Sequence, residues 1–141
     1  MTEISHIDAI FLKWESEKGP LLIISCSRSK SISRLGDTSL THPPSPIQMG
    51  KTDEAIFERL MDLVASEWFE FTGRYEFPNI QQNPQTLTIQ FTGEEVDTGF
   101  EFAFGEGSEG PPEDILEFVE YAVELTEPWY QEKVAAKKQR K

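Results

Sequence analysis

The sequence contains little sulfur and little histidine, which narrows the chemistry that its side chains can support. Cys26 is the single cysteine among 141 residues, so neither an intrachain disulfide nor a cysteine-based zinc site can form. The two histidines, His6 and His42, have no second nitrogen or sulfur ligand close to them in the sequence. A nucleophilic thiolate at Cys26 would need a neighbouring base, and the sequence places neither histidine next to it. We therefore expect a protein that is not an enzyme and that holds no metal and no cofactor.

The sequence also lacks a long apolar run. The longest one, Pro20–Ile24, is far too short to cross a bilayer. Residues Met1–Asp8 lack the charged start and the apolar stretch of a signal peptide. Together with the single cysteine, these absences predict a cytoplasmic protein with no membrane partner.

Basic residues are absent from a long part of the second half. Tyr75–Glu132 contains 14 acidic residues and no Lys or Arg, whereas Lys133–Lys141 contains five basic residues and no acid. The chain as a whole has a formal net charge of −12, which argues against unspecific binding to nucleic-acid phosphates. Two interpretations of this pattern stay open. The acidic part is either a solvated surface or a face complementary to a basic partner.

Two apolar runs near the start, Ile7–Trp14 and Leu21–Cys26, are joined by turn-forming residues. Apolar side chains occupy both faces of the first run, which predicts central strands that are covered on both sides. The following segment, Ser27–Gly50, is rich in serine and proline and longer than most connections. The segment is either a functional insertion or a mobile loop, and its alternating serines allow the second strand to extend by a few residues. We interpret most of residues 27–50 as a mobile loop.

Apolar residues at helical spacing follow Thr52, whose hydroxyl is suited to cap a helix. Aromatic residues then alternate through Trp68–Phe77, which predicts a strand or a bulged strand. Strict alternation in Thr86–Thr92 and in Gly99–Gly105 predicts an antiparallel hairpin with one apolar face.

Pro111–Asp114 has the composition of a helix start, and an apolar stripe follows it. Pro128 is expected to interrupt or kink this last helix. The predicted order is therefore β-β-(long loop)-α-β-β-β-α, an α+β fold with a mainly antiparallel sheet and helices packed on it. Residues 1–132 form one predicted domain, and residues 133–141 form a basic C-terminal tail.

The glycine-rich segment Gly105–Gly110 fits the pattern G-x-G-x-x-G between a strand and a helix. The preceding strand belongs to a hairpin, and the nearby carboxylates would repel a pyrophosphate, so we interpret the segment as a flexible turn. The loops at 97–114 are rich in oxygen ligands. They leave open a ligand- or calcium-binding domain, or an enzyme accessory, as an alternative function.

The candidate partner-binding residues lie in the hairpin turn and on the last helix. The helical ones recur at spacings of three and four, where like charges repel each other mildly. The aromatic pair after Pro128 either packs back on the domain or forms an interface hot spot. The full set is Glu94, Glu95, Asp97, Glu117, Glu120, Glu124, Glu127, Trp129 and Tyr130.

The element order resembles that of the longin/roadblock type of profilin-like domain. In this sequence Phe11-Leu12-Lys13-Trp14 leads through Gly19-Pro20 into Leu21-Leu22-Ile23-Ile24. The resemblance covers Ile7 to Tyr130, although the long Ser27–Gly50 segment departs from the usual compact form. It implies a non-catalytic interaction scaffold that dimerises through sheet or helix edges, and no catalytic residue carries over.

These patterns predict a small acidic protein-binding module whose C-terminal half engages a partner protein with a basic surface. An adaptor, a chaperone and an immunity-type inhibitor all belong to this class. Direct nucleic-acid binding is not expected, and a homodimer is compatible with the sequence. A further alternative is an inhibitor that mimics nucleic-acid charge and competes with polyanions for its partner.

Overall fold

The computed structural model of the chain describes residues 7–36, 47–52, 55–64, 68, 73–77, 82–93, 96–107 and 110–139. Within these residues the fold is α+β, with a seven-stranded, mostly antiparallel sheet and two helices. The elements are β1 (Ala9–Ser16), β2 (Gly19–Ser27), β3 (Ser31–Gly36), β4 (Gln48–Lys51), α1 (Ile56–Met61), β5 (Gly73–Glu76), β6 (Gln82–Gly93), β7 (Val96–Glu106) and α2 (Glu113–Gln139).

The strands lie side by side in the order β4-β3-β2-β1-β6-β7-β5. Neighbouring strands are antiparallel except β5 and β7, which are parallel. The two edges are therefore short strands, β4 and β5, a common way to limit pairing with other chains.

Strand β1 is central, as its two apolar faces predict. Leu12 lies opposite Ile24 of β2 and Ile89 of β6, and all three side chains are buried. They belong to the same apolar core as the inward side chains of both helices. On the other face of β1, Phe11 and Lys13 are half-buried, so the second covering that the sequence predicts is only partial.

The hairpin formed by β6 and β7 confirms the alternation in the second half. Leu87 pairs with Phe102 and Ile89 with Phe100, and these four side chains are buried on the face that contributes to the core. The residues that alternate with them along each strand point to the opposite face of the sheet, where Thr88 lies beside Glu101.

The interpretation of 27–50 as a loop omitted two strands, β3 and β4. In β3 the side chains of Ile32 and Arg34 lie on the core side, while Ser33 lies on the other side, opposite Ser25 of β2. The hydroxyl oxygens of Ser25 and Ser33 are 2.5 Å apart. A strand with serines on one face and an arginine on the other has a weak apolar pattern, which explains why sequence reasoning missed it. Residues 37–46 lie outside the described residues.

Helix α1 is shorter than its apolar spacing predicts. It begins at Ile56 without a side-chain cap and ends at Met61, whereas the predicted stripe continues to Trp68, whose side chain is buried. The strand predicted over Trp68–Phe77 is described only as β5, and Phe69 and Phe71 lie outside the described residues.

Helix α2 continues through Pro128, so the helix is not interrupted there, and the alternative expectation of a kink stays a prediction. Proline removes the backbone hydrogen bond to the carbonyl four residues earlier. Here that carbonyl belongs to Glu124. Both Glu124 and Pro128 are exposed residues, so water can donate to the carbonyl in place of the missing N–H. The first part of the predicted tail is consequently the end of α2, and the proposed domain boundary at 132 stays a prediction.

No helix in the described part of the chain combines the length and the apolar composition that a membrane span requires.

Candidate functional site

Helix α2 presents a row of carboxylates to solvent. Residues in an α-helix advance by about 100°, so spacings of four, three and four place their side chains on one narrow face over about 16 Å. All of them are exposed, and we call this row the acidic stripe: Glu113, Glu117, Glu120 and Glu124.

The opposite face of α2 holds the helix against the sheet. Its side chains are nearly inaccessible to solvent and recur with helical spacing: Ile115, Phe118, Val119, Ala122 and Val123. Because this apolar face fixes the rotation of α2 about its axis, the acidic stripe points away from the core.

The acidic stripe takes part in none of the ion pairs found among the described residues. The ion pairs of the described residues involve carboxylates outside the stripe, for example Lys13 with Glu15 and Arg28 with Asp8. Among the described residues, the stripe is therefore a surface of like charges without an ion-pair partner.

A fully buried arginine on β3 anchors the second half of α2. The Nη2 atom of Arg34 donates to Oε2 of Glu127 at 2.8 Å, and Nη1 donates to Oγ1 of Thr126 at 3.0 Å. Its Nε atom donates to the carbonyl of Gly36 at 2.8 Å. The guanidinium also lies over the ring of Tyr130, 4.6 Å from its centre. We call these groups the Arg34 anchor.

Glu127, which sequence reasoning placed in the partner-binding set, is already engaged inside the molecule. One oxygen accepts from Arg34, and the other accepts from Nε2 of Gln131 at 2.6 Å. Its charge is thus balanced by Arg34, which distinguishes it from Glu117, Glu120 and Glu124.

Trp129 and Tyr130 pack back on the domain, the first of the two interpretations that their sequence allowed. They are 8% and 9% exposed. The indole Nε1 of Trp129 donates to the backbone carbonyl of Lys51 in β4 at 3.0 Å. A role for this pair in partner binding stays a prediction.

The remaining predicted site residues belong to the hairpin. Asp97 is exposed at the start of β7, opposite Thr92, and Glu94 and Glu95 lie outside the described residues. The structure therefore gathers Glu117, Glu120 and Glu124 on one exposed face of α2. The other helical members of the predicted set contact the rest of the domain, and Asp97 lies on a different element.

A groove lies beside the acidic stripe, between the end of α1 and the first turns of α2. Its volume is about 420 Å³, and we call it the α1–α2 groove. The side chains that line it are mostly apolar, with two carboxylates: Leu63, Trp68, Asp114, Glu117, Phe118 and Tyr121. Sequence reasoning did not find this groove, because its two walls are about fifty residues apart in the chain.

A second concavity, of about 460 Å³, lies at the β5 end of the sheet and is more polar. Its lining includes Arg74, which donates to Glu101 at 2.7 Å and to Glu76 at 3.1 Å. These hydrogen bonds, first to Glu76 and then to Glu101, raise the pKa of Arg74 above its usual value. The cationic group of this concavity is thus paired within the protein.

Cys26 is buried on the core side of β2. Burial, with a smaller contribution from the negative charge of Glu58, raises the pKa of the thiol from 9.0 to about 12. A thiol that stays protonated is a poor nucleophile, so its environment gives no support to a catalytic role.

The glycine-rich segment is described in part. Gly107 and Gly110 have positive φ angles of 93° and 82°, conformations that glycine adopts readily, and residues 108 and 109 lie outside the described residues. Among the residues that the structure describes, no group of three or more His, Cys, Asp or Glu side chains is arranged to hold a metal ion. Calcium binding at 97–114 stays an untested alternative.

No protein-family model, curated protein or solved structure matched the chain, so the resemblance to longin/roadblock domains also stays a prediction.

Proposed function

We propose that the protein is a non-enzymatic binding module whose acidic stripe engages the basic surface of a partner protein. The observation that carries the proposal is the row of four exposed carboxylates on one face of α2, in a region without any Lys or Arg from Tyr75 to Glu132. Its role as an adaptor, a chaperone or an immunity-type inhibitor, its place in the cytoplasm and its assembly as a homodimer are finer parts of the same proposal.

The electrostatics of the stripe favour a basic partner. Like charges three or four residues apart destabilise a helix by about 0.2–0.5 kcal/mol for each pair. A partner that supplies Lys or Arg side chains offsets these repulsions with attractions between opposite charges. The same charges accelerate association through long-range steering.

The rigidity of α2 supports the same function. The buried apolar face and the Arg34 anchor hold the helix on the sheet at two places along its length. A stripe that is held in place before binding loses little conformational freedom when the partner arrives, so more of the interaction energy appears as affinity.

Charge reversal on the stripe tests the proposal. Partners are captured from native lysate on the immobilised protein and identified, and the affinity of the purified partner is then measured by calorimetry. We expect the double variant Glu120→Lys/Glu124→Lys to weaken binding by about tenfold or more and to reduce its dependence on salt.

A matched double variant controls for net charge. Glu17→Lys/Glu106→Lys changes the same number of exposed charges away from α2, and it should keep the affinity within about twofold of the wild type. Equal losses in the two variants, or no loss in either, would contradict a specific role for the stripe. The alternative of a nucleic-acid mimic predicts that a polyanion competes for the same partner.

A further inference from the structure

We infer that the α1–α2 groove holds a large apolar side chain from a cationic amphipathic segment of the partner protein. This inference rests on the proposed function and extends it, because it adds an apolar anchor to the electrostatic contact. The partner segment then has a defined chemistry: one or more large aliphatic or aromatic residues flanked by Lys or Arg.

The groove has an apolar floor and an exposed apolar rim. Phe118 and Trp68 form the floor and are only 2% and 3% exposed, whereas Leu63 on the rim is 45% exposed. A large aliphatic side chain with this exposure gains from being covered, because each Å² of apolar area removed from water contributes about 25 cal/mol. The volume of about 420 Å³ lies within the range of protein ligand sites.

The floor of the groove is held in place by directed contacts. The indole Nε1 of Trp68 donates to Oδ2 of Asp114 at 3.2 Å. The rings of Trp68 and Phe118 meet edge to face, with their centres 5.3 Å apart. Trp68 and the first turns of α2 therefore form one surface before any partner binds.

Charge decides which apolar segment fits. Asp114 and Glu117 line the groove, and Glu117 is also a member of the acidic stripe. On α2, Tyr121 lies one turn after Glu117, on the side of the stripe that borders the groove. An apolar side chain that enters the groove brings its neighbours next to these carboxylates, which attract Lys and Arg and repel Asp and Glu.

Other exposed apolar side chains lack these features. Met49 in the edge strand β4 is 75% exposed, more than Leu63, yet it does not line the α1–α2 groove. It provides a matched control, since replacing it also removes an exposed aliphatic side chain.

Selection from random peptides displayed on phage tests the inference with the full-length protein as bait. We expect the enriched sequences to combine a large apolar residue with Lys or Arg at spacings of three and four. Synthetic versions of the enriched peptides are then titrated against the wild type, Leu63→Ser, Leu63→Met and Met49→Ser.

The inferred site predicts a specific pattern of affinities. Leu63→Ser should weaken binding by about tenfold, while Leu63→Met, which keeps the apolar area, and Met49→Ser should stay within about twofold of the wild type. Thermal melts confirm that each variant is folded, and both positions are exposed enough to tolerate the change.

The outcomes separate the inference from the proposed function. Enriched peptides that are basic without an apolar residue, or that bind Leu63→Ser as well as the wild type, would overturn the apolar anchor and leave the acidic stripe intact. Enrichment of acidic or uncharged peptides, or of none, would overturn both.

Discussion

Two arginines of this protein form ion pairs of nearly equal length in opposite environments. Arg34 meets Glu127 at 2.8 Å with a side chain that is 0% exposed, and Arg74 meets Glu101 at 2.7 Å with a side chain that is 48% exposed. The distance between charges therefore does not rank the two pairs. Water screens the Arg74 pair, so it contributes little to the free energy of unfolding. Breaking the Arg34 pair is expected to lower that free energy strongly, because Arg34 is buried.

The two arginines also differ in what they connect. Arg34 joins β3 to α2 across 93 residues of sequence and so fixes the helix that presents the acidic stripe. Arg74 bonds to Glu76 in its own strand and to Glu101 in the neighbouring strand β7. There it puts charge on a short edge strand, which discourages pairing with other chains.

The largest expected effect comes from removing the buried arginine. Arg34→Met eliminates hydrogen bonds to Gly36, Thr126 and Glu127, and the free energy of unfolding should fall by about 3 kcal/mol. Urea denaturation followed by circular dichroism measures this change. The difference should persist in 1 M salt. Salt at that concentration shortens the Debye length to about 3 Å and so screens exposed charges, but it does not reach the buried guanidinium of Arg34. A loss below about 1 kcal/mol would show that burial does not distinguish Arg34 from Arg74.

A conservative change of its partner isolates the contribution of charge. Glu127→Gln keeps an oxygen that can accept from Arg34 but removes the negative charge beside a buried guanidinium. We expect a smaller loss of about 1–2 kcal/mol, because the Glu127 side chain is 38% exposed and water can solvate the amide that replaces its carboxylate. A double-mutant cycle with Arg34→Met gives the coupling energy, and a coupling near zero would contradict the anchor.

A third buried group extends the comparison to pH. The folded pKa of Cys26 is raised from 9.0 to about 12, so its stabilising contribution is fully present below pH 9 and is lost as pH rises towards 12. At about pH 10 the unfolded thiol is mostly ionised while the folded one is not, which lowers the folding equilibrium constant by about tenfold. Chemical denaturation of the wild type and Cys26→Ala at pH 8 and about pH 10 measures the difference. Equal pH dependence in both proteins would contradict the assignment.

Sequence patterns predicted the elements whose two sides differ in polarity. Strands β6 and β7 follow from alternating apolar residues, and the buried face of α2 follows from its helical stripe. Strand β3 was missed because one of its core-facing residues is Arg34, whose guanidinium finds most of its partners on α2, about ninety residues away. No local pattern contains that information.

The candidate site likewise has one part that local sequence patterns predict and one part that depends on tertiary packing. The spacing of Glu117, Glu120 and Glu124 places them on one helical face, so most of the acidic stripe was predictable from the sequence. The α1–α2 groove was not, because it depends on how Leu63 and Trp68 pack against α2. Tertiary packing also decided that Glu127 bonds to Arg34 instead of extending the stripe.

The smallest expected effect belongs to the exposed arginine and completes the comparison. Arg74→Met removes hydrogen bonds to Glu76 and Glu101, yet all three side chains reach solvent, so water replaces the lost contacts. The free energy of unfolding should stay within about 1 kcal/mol of the wild type, and any difference should shrink further in high salt. The same urea titrations as for Arg34→Met provide the measurement. A loss as large as that of Arg34→Met would mean that Arg74 holds β5 on the sheet, and that exposure does not determine what an ion pair contributes here.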